Sequence, residues 1–355
     1  MKRVFLSLVL ALFCMGLVAQ PAHYYDDANG LTGNELKTAL HNIIKDHTSI
    51  SYAQIWNAFW STDNKGNGKV WDMYSDVPNG TPPYVFALGN DQCGNYSGEG
   101  DCYNREHSWP QSWFNEQSTP RTDLHHIFAT DGYVNGRRSN YPFGEVRSAT
   151  WTSRNGSKLG SSMTPGYSGT VFEPIDEYKG DFARALMYMS VRYYGEDGSW
   201  SSSEMTDKAQ IKDWAIAMLL RWHEADPVSQ KEIDRNNAIY DDYQHNRNPF
   251  IDCPEFASMI WDPDWQVEEN TAGDAPVYVF PNPVARGGEL HISGNQWQFD
   301  ALIICDLCGH KLMKASGPSV GGFSILIPGD LQPGCYFVKM MKGERVVKNL
   351  KLIVK

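Results

Sequence analysis

The hydrophobic period of this chain changes once, across the segment EENTAGDAP at residues 268–276. Before it, apolar residues recur at helical spacing; after it, the short runs VYVF, ELHIS, ALIICDL, FSILIP, CYFVKMM and VVKNLKLIV are separated by Gly and Pro turns. A stripe with a period near 3.6 and one with a period of 2 bury themselves against different partners, so one architecture cannot serve both. The chain is therefore expected to be α+β. It reads as a signal segment at 1–20, a mainly helical unit at 21–267, a linker at 268–276 and a small all-β sandwich at 277–355.

Within the first unit, TGNELKTALHNIIKDH begins at Thr32, a residue able to cap a helix, and repeats Leu36, Leu40, Ile43 and Ile44 at helical spacing. YAQIWNAFW predicts a second helix, and helical periodicity returns at 180–194, 206–224 and 228–243. Residues 62–104, rich in Gly, Asp and Asn, predict short strands in long loops. Apolar residues make up 41% of the chain and aromatics 13%, ample for real cores, which excludes a disordered chain.

MKRVFLSLVLALFCMGLVAQ has two basic residues, an apolar run too short for a comfortable membrane span, and small residues near Ala19. It reads as a secretory signal, with no other stretch apolar enough for stable membrane insertion. A lipoprotein reading through Cys14 is disfavoured, because Cys14 lies inside the apolar run and Met15 follows it. Export favours disulfides, and Cys93 with Cys102 would close a short Gly-rich loop. Cys305 and Cys308 have CxxC spacing without a second ligand pair and read as incidental or buried thiols.

The formal net charge is −11, yet residues 276–355 carry nine Lys/Arg against five Asp/Glu, so the acidity lies in the first unit. An acidic body repels polyanions at long range, and a polyanion-binding reading needs a local basic patch. Arg137, Arg138, Arg147, Arg154 and Lys158 surround a single acid, Glu145, and supply one. Screening confines surface fields to about 8–10 Å, so local charge can outweigh net charge.

Residues 104–114 read NREHSWPQSWF, and residues 123–144 read DLHHIFATDGYVNGRRSNYPFG. Two polar-rich segments hedged by aromatics and Pro/Gly lie within forty residues. Here the chain resembles the secreted endonuclease I family, whose core is the ββα-metal or His-Me finger. The likeness spans roughly 33–262 and includes KVWDMYSD, FEPIDEYKGDFARALMYM and RNNAIYDDYQHNRNPFIDCPE. It implies His107 as general base, Glu106 and Asn135 as metal ligands, and a single Mg²⁺, with Mn²⁺ or Ca²⁺ as alternatives.

The chemistry explains these residue types. Phosphodiester hydrolysis needs a water deprotonated near neutral pH, and an imidazole suits that task. It also needs charge neutralised on the phosphate and leaving oxygen, and Mg²⁺ takes oxygen ligands. Adjacent side chains on a regular strand point to opposite faces, so the strand must twist, bulge or end near Glu106 and His107. Leu124, Ile127 and Phe128 are compatible with the helix that brings Asn135 opposite this corner. Arg137, Arg138 and Arg247 are expected on phosphate, with Arg247 equally able to fix a turn, and His126 and Arg105 behind the reacting groups. His125 and His126 also suggest a zinc site, a reading set below Glu106 and Asn135.

The tail resembles the C-terminal sorting domain of type IX secretion through FPNPV, GCYFVKM and its closing basic-apolar strand. That likeness implies a surface or secreted location through an export machinery. A carbohydrate-binding module is the rival, but the tail has no aromatic run to stack on sugars. The expected activity is a sequence-nonspecific endonuclease cutting DNA, with RNA left open as a second substrate. An extracellular ribonuclease on the same scaffold and a surface adhesin with a decayed site are the alternatives.

Overall fold

The computed structural model describes residues 21, 23–262, 278–293, 299–306, 309, 311–316, 323–343 and 345–355. The expected signal and linker lie outside the described residues. The first unit opens with α1 (Gly33–Ile44) and α2 (Ile55–Thr62). Leu36, Leu40 and Ile44 fall four apart on α1 and are buried. Thr32 stands at the cap position with extended backbone, but its side chain makes no capping hydrogen bond. The buried face, rather than the expected cap, holds this helix.

β1 (Asn64–Gly66) and β2 (Lys69–Val70) form a small antiparallel pair within the Gly-rich stretch. A long loop closed by the Cys93–Cys102 disulfide then leads into β3 (Tyr103–His107). After α3 (Ser118–Arg121), β4 (Ile127–Asp131) pairs antiparallel with β3, placing Glu106 opposite Phe128 and His107 opposite Ile127. α4 (Gly132–Arg138) leaves directly from β4, and the Asp131 carboxylate caps it by accepting the Val134 N–H at 2.8 Å. Ile127 and Phe128 thus belong to a strand and not to the helix that carries Asn135. All five residues of β4 are buried, so its side chains lack the alternation that marks a half-buried strand.

β5 (Val146–Thr152), β6 (Lys158–Ser162) and β7 (Thr170–Glu173) form a three-stranded meander. α5 (Lys179–Arg192) runs through the core with every residue but Lys179 buried. The helix expected at 206–224 is a hairpin, β8 (Thr206–Asp207) and β9 (Gln210–Ile211), followed by α6 (Asp213–Ala225). Lys208 adopts φ 52° in that tight turn, which breaks the helical path. α7 (Gln230–Ile239) begins at a Ser229–Glu232 capping box and runs into a π-helical turn at Tyr240–Gln244. α8 (Pro249–Asp252) and α9 (Phe256–Trp261) complete this unit.

The C-terminal region holds β10 (Tyr278–Phe280), β11 (Glu289–Ser293), β12 (Ala301–Cys305), β13 (Lys311–Ser316), β14 (Phe323–Leu326), β15 (Gly334–Lys342) and β16 (Arg345–Val354). They form sheets ordered β10-β11-β14 and β13-β12-β15-β16. Leu290, Ile304, Val338 and Leu352 from both sheets share one core. β13 was not among the expected strands: it is an edge whose residues are exposed or half-buried, so it carries no apolar alternation. Cys305 is a buried free thiol, Cys308 lies outside the described residues, and Cys253 is disulfide-bonded.

Candidate active site

β3 ends at His107, and this strand end, α4 and the disulfide loop enclose a cavity of about 400 Å³. Glu106, His107 and Asn135 all line it. The sequence therefore brings together the three groups that its motifs singled out. Because the strand stops at His107, the two neighbours escape the strict alternation of a continuing strand.

Glu106 is 1% exposed. Its Oε1 accepts the Tyr74 hydroxyl at 3.0 Å and lies 3.2 Å from the Arg138 guanidinium. Burial pushes the carboxyl's pKa up, and Arg138 and Tyr74 oppose that shift. Oε2 has no hydrogen-bond partner among the described residues. Asn135 donates from Nδ2 to Asn104 Oδ1 at 2.7 Å, which turns the amide so that its own Oδ1 is left unpaired among the described residues. One carboxylate oxygen and one amide oxygen in a single cavity fit a hard divalent cation.

His107 Nε2 lies 3.1 Å from the Arg121 carbonyl oxygen. A carbonyl only accepts, so Nε2 carries the proton and Nδ1 keeps its lone pair in the neutral ring. Gln111 Nε2 approaches that Nδ1 at 3.4 Å. Burial, then the neighbouring His126, pushes the imidazole's pKa down to about 3, so the ring is neutral across the neutral pH range. The ring stacks on Tyr52 with centroids 6.1 Å apart and meets His126 edge-on at 5.4 Å. His126 Nε2 bonds the Pro120 carbonyl at 2.7 Å, with its ring against His107.

Arg138 is not available for phosphate. It is 1% exposed, pairs with Glu106, and donates to the His107 and Ser108 carbonyls at 3.0 and 2.7 Å. It fastens the end of β3 to α4. Arg247 is likewise buried, held by both oxygens of Asp252 at 2.7 and 2.8 Å, and does not line the cavity. Its expected phosphate contact gives way to the turn-fixing role. Arg137 is half-buried with its guanidinium 5.4 Å from the Trp151 ring centre. Arg147, Arg154 and Lys158 remain exposed, and Lys158 stands 3.7 Å from the Glu173 carboxylate.

Arg105 lines the cavity, with its guanidinium 3.7 Å from the Tyr52 ring centre and a hydrogen bond to the Tyr52 carbonyl at 2.9 Å. His125 points elsewhere, bonding the Asn246 carbonyl at 3.2 Å. Among the described residues no group of three or more His, Cys, Asp or Glu is placed to hold a metal, and the Nε2 atoms of His125 and His126 each bond a backbone carbonyl. Sequence reasoning missed Tyr52, Tyr74, Asn104 and the Arg121 carbonyl. Asn104 and Tyr74 lay in motifs quoted above and Tyr52 opened a predicted helix, but nothing there marked these side chains, and a backbone carbonyl has no signature in a sequence.

A two-strand-and-helix corner bearing an oriented imidazole beside a carboxylate defines a candidate hydrolytic centre in an α+β protein. Residues 32–255 match the family model of endonuclease I, and the chain belongs to that family. It is 40% identical to an extracellular ribonuclease of Bacillus amyloliquefaciens over 244 residues, 67% of this chain and 78% of the relative. A Bacillus subtilis (strain 168) extracellular ribonuclease is 38% identical over 246 residues, again 67% and 78% of the two chains. Endonuclease-1 of Buchnera aphidicola subsp. Baizongia pistaciae is 29% identical over 130 residues, 37% of this chain and 46% of that protein. The family match ends before β10.

Proposed function

We propose that the protein is a secreted endonuclease that hydrolyses phosphodiester bonds with His107 as general base and one divalent cation, Mg²⁺ in the first instance. The observation that carries this reading is the orientation of His107, whose Nε2–H is held by the Arg121 carbonyl so that Nδ1, approached by the Gln111 amide at 3.4 Å, is the nitrogen that accepts a proton in the cavity shared with Glu106 and Asn135. Glu106 and Asn135 would hold the cation, and a hard cation there supplies neutralisation of charge on the phosphate and the departing 3′ oxygen. His107 Nδ1 takes the proton of the attacking water. Arg138 keeps Glu106 and the His107 backbone in register, and the stacked Tyr52 limits rotation of the imidazole.

Fold, family and site support a nuclease; the relatives named extracellular ribonuclease favour RNA among its substrates and export from the cell. Digestion of plasmid, single-stranded DNA and RNA, with and without EDTA, tests the reading. Cleavage abolished by EDTA and restored by Mg²⁺ is expected. EDTA-resistant cleavage would remove the cation from the proposal, and no cleavage of any substrate would favour the adhesin alternative. For the C-terminal strands we propose an address for type IX export, on the resemblance described above; no cavity residue comes from them.

A further inference from the structure

A second cavity, of about 670 Å³, adjoins the first, and Ser112 and Asn140 line both. The two share these residues of the loops after β3 and α4. Tyr141, next to the shared Asn140, lines the second cavity and is 41% exposed, and Tyr167 lines it with its ring stacked on Trp214 at 4.6 Å and 10° between planes. Ser202 and Ser203 line it with hydroxyls already bonded to Asp207 and Thr206. Lys212 and Glu204 also line it, and Lys212 already donates to the Ser203 carbonyl at 2.6 Å.

These groups select the occupant. The Glu204 carboxylate offsets the Lys212 ammonium, so the cavity has no excess positive charge and is poorly suited to a phosphate. An exposed phenol ring beside a carboxylate acceptor suits a flat, neutral, polar ring. Bases bind protein surfaces in this way when they are unstacked, with every base offering a π-face and its polar edge seeking hydrogen bonds. A base inside a duplex is paired and stacked and cannot enter a cavity.

We propose that this cavity is a flanking-nucleotide subsite that takes the unpaired base next to the scissile phosphodiester, with its face on Tyr141. The assignment rests on the endonuclease reading of the adjoining cavity. It makes single-stranded polynucleotide, or a locally opened strand, the better substrate of that site, since only a splayed base can fill the cavity.

The test compares the full chain with Tyr141→Ala and Tyr141→Phe on a single-stranded octanucleotide, in deoxy and ribo forms, with Tm measured alongside. Loss of one stacked base predicts KM raised about tenfold for Tyr141→Ala, kcat within twofold, and Tyr141→Phe close to the parent. KM unchanged in Tyr141→Ala, or raised equally by both variants, would overturn the subsite while leaving the nuclease reading intact. A lowered kcat with unchanged KM would also overturn it, marking Tyr141 as a support for α4. A parent inert on octanucleotide, plasmid and RNA would instead sink the nuclease reading itself.

Discussion

His107 and Glu106 divide the chemistry between a proton acceptor and a ligand, and their variants should respond differently. His107→Ala is expected to lower plasmid cleavage by about two to four orders of magnitude, the scale of general-base loss, with cation affinity little changed. Activity within threefold of the parent would remove the assignment. Glu106→Ala and Asn135→Ala should be partly rescued by raising Mg²⁺, whereas His107→Ala should not. The reverse pattern in a Mg²⁺ titration would exchange the roles of these residues.

Among the elements, the junction of β3 and α4 depends on Arg138, which is buried against Glu106 and two carbonyls. Removing one partner of a buried ion pair costs about 3–5 kcal/mol, so Arg138→Ala should lower Tm markedly along with activity. Unchanged Tm with raised KM would point back to phosphate binding. His223 on α6 illustrates a second dependence. Its Nε2 bonds the Pro254 carbonyl at 3.0 Å and its Nδ1 faces the Arg184 guanidinium at 3.3 Å, an arrangement for the neutral ring. Burial, then Arg184, lowers its pKa to about 4. A depressed histidine contributes stability that is present above the unfolded pKa of about 6.5 and lost as pH falls toward the folded value, because the unfolded chain binds the extra proton. Glu232 and Asp226, raised by burial to about 7 and about 6, act in the opposite direction over much of this range. The diagnostic is therefore a difference: between pH 6.5 and 4, His223→Gln should lose less stability than the parent in urea titrations. Parallel curves would show that His223 is not the group responsible.

At the scale of the whole molecule, the catalytic cavity draws only on residues before 141, and the C-terminal strands have their own core. Purified residues 21–262 should cleave plasmid at near the full-length rate, while deletion of the C-terminal strands in the source cell should leave the enzyme in the periplasm. Phe337 of β15 packs against the nuclease core, so a lower Tm for the truncated protein is compatible with this prediction. Loss of cleavage by folded, truncated protein, or unchanged surface export, would contradict it.

The sequence by itself determined the change from helical to strand periodicity, the disulfide loop, and the placing of Glu106, His107 and Asn135 within two short motifs. These are local matters of period, spacing and residue chemistry, which survive in a linear reading. It was weaker where burial erased the pattern, as in β4, or where a tight turn interrupted it, as at Lys208. Arg138 and Arg247 look alike in sequence to any surface arginine, yet each is buried against a carboxylate. Charge says what a side chain can attract; only the tertiary structure decides whether that attraction is met inside the protein or left for a ligand. The same holds for His107, whose reactive nitrogen is selected by the carbonyl of a residue fourteen positions away, brought there by the path of the chain.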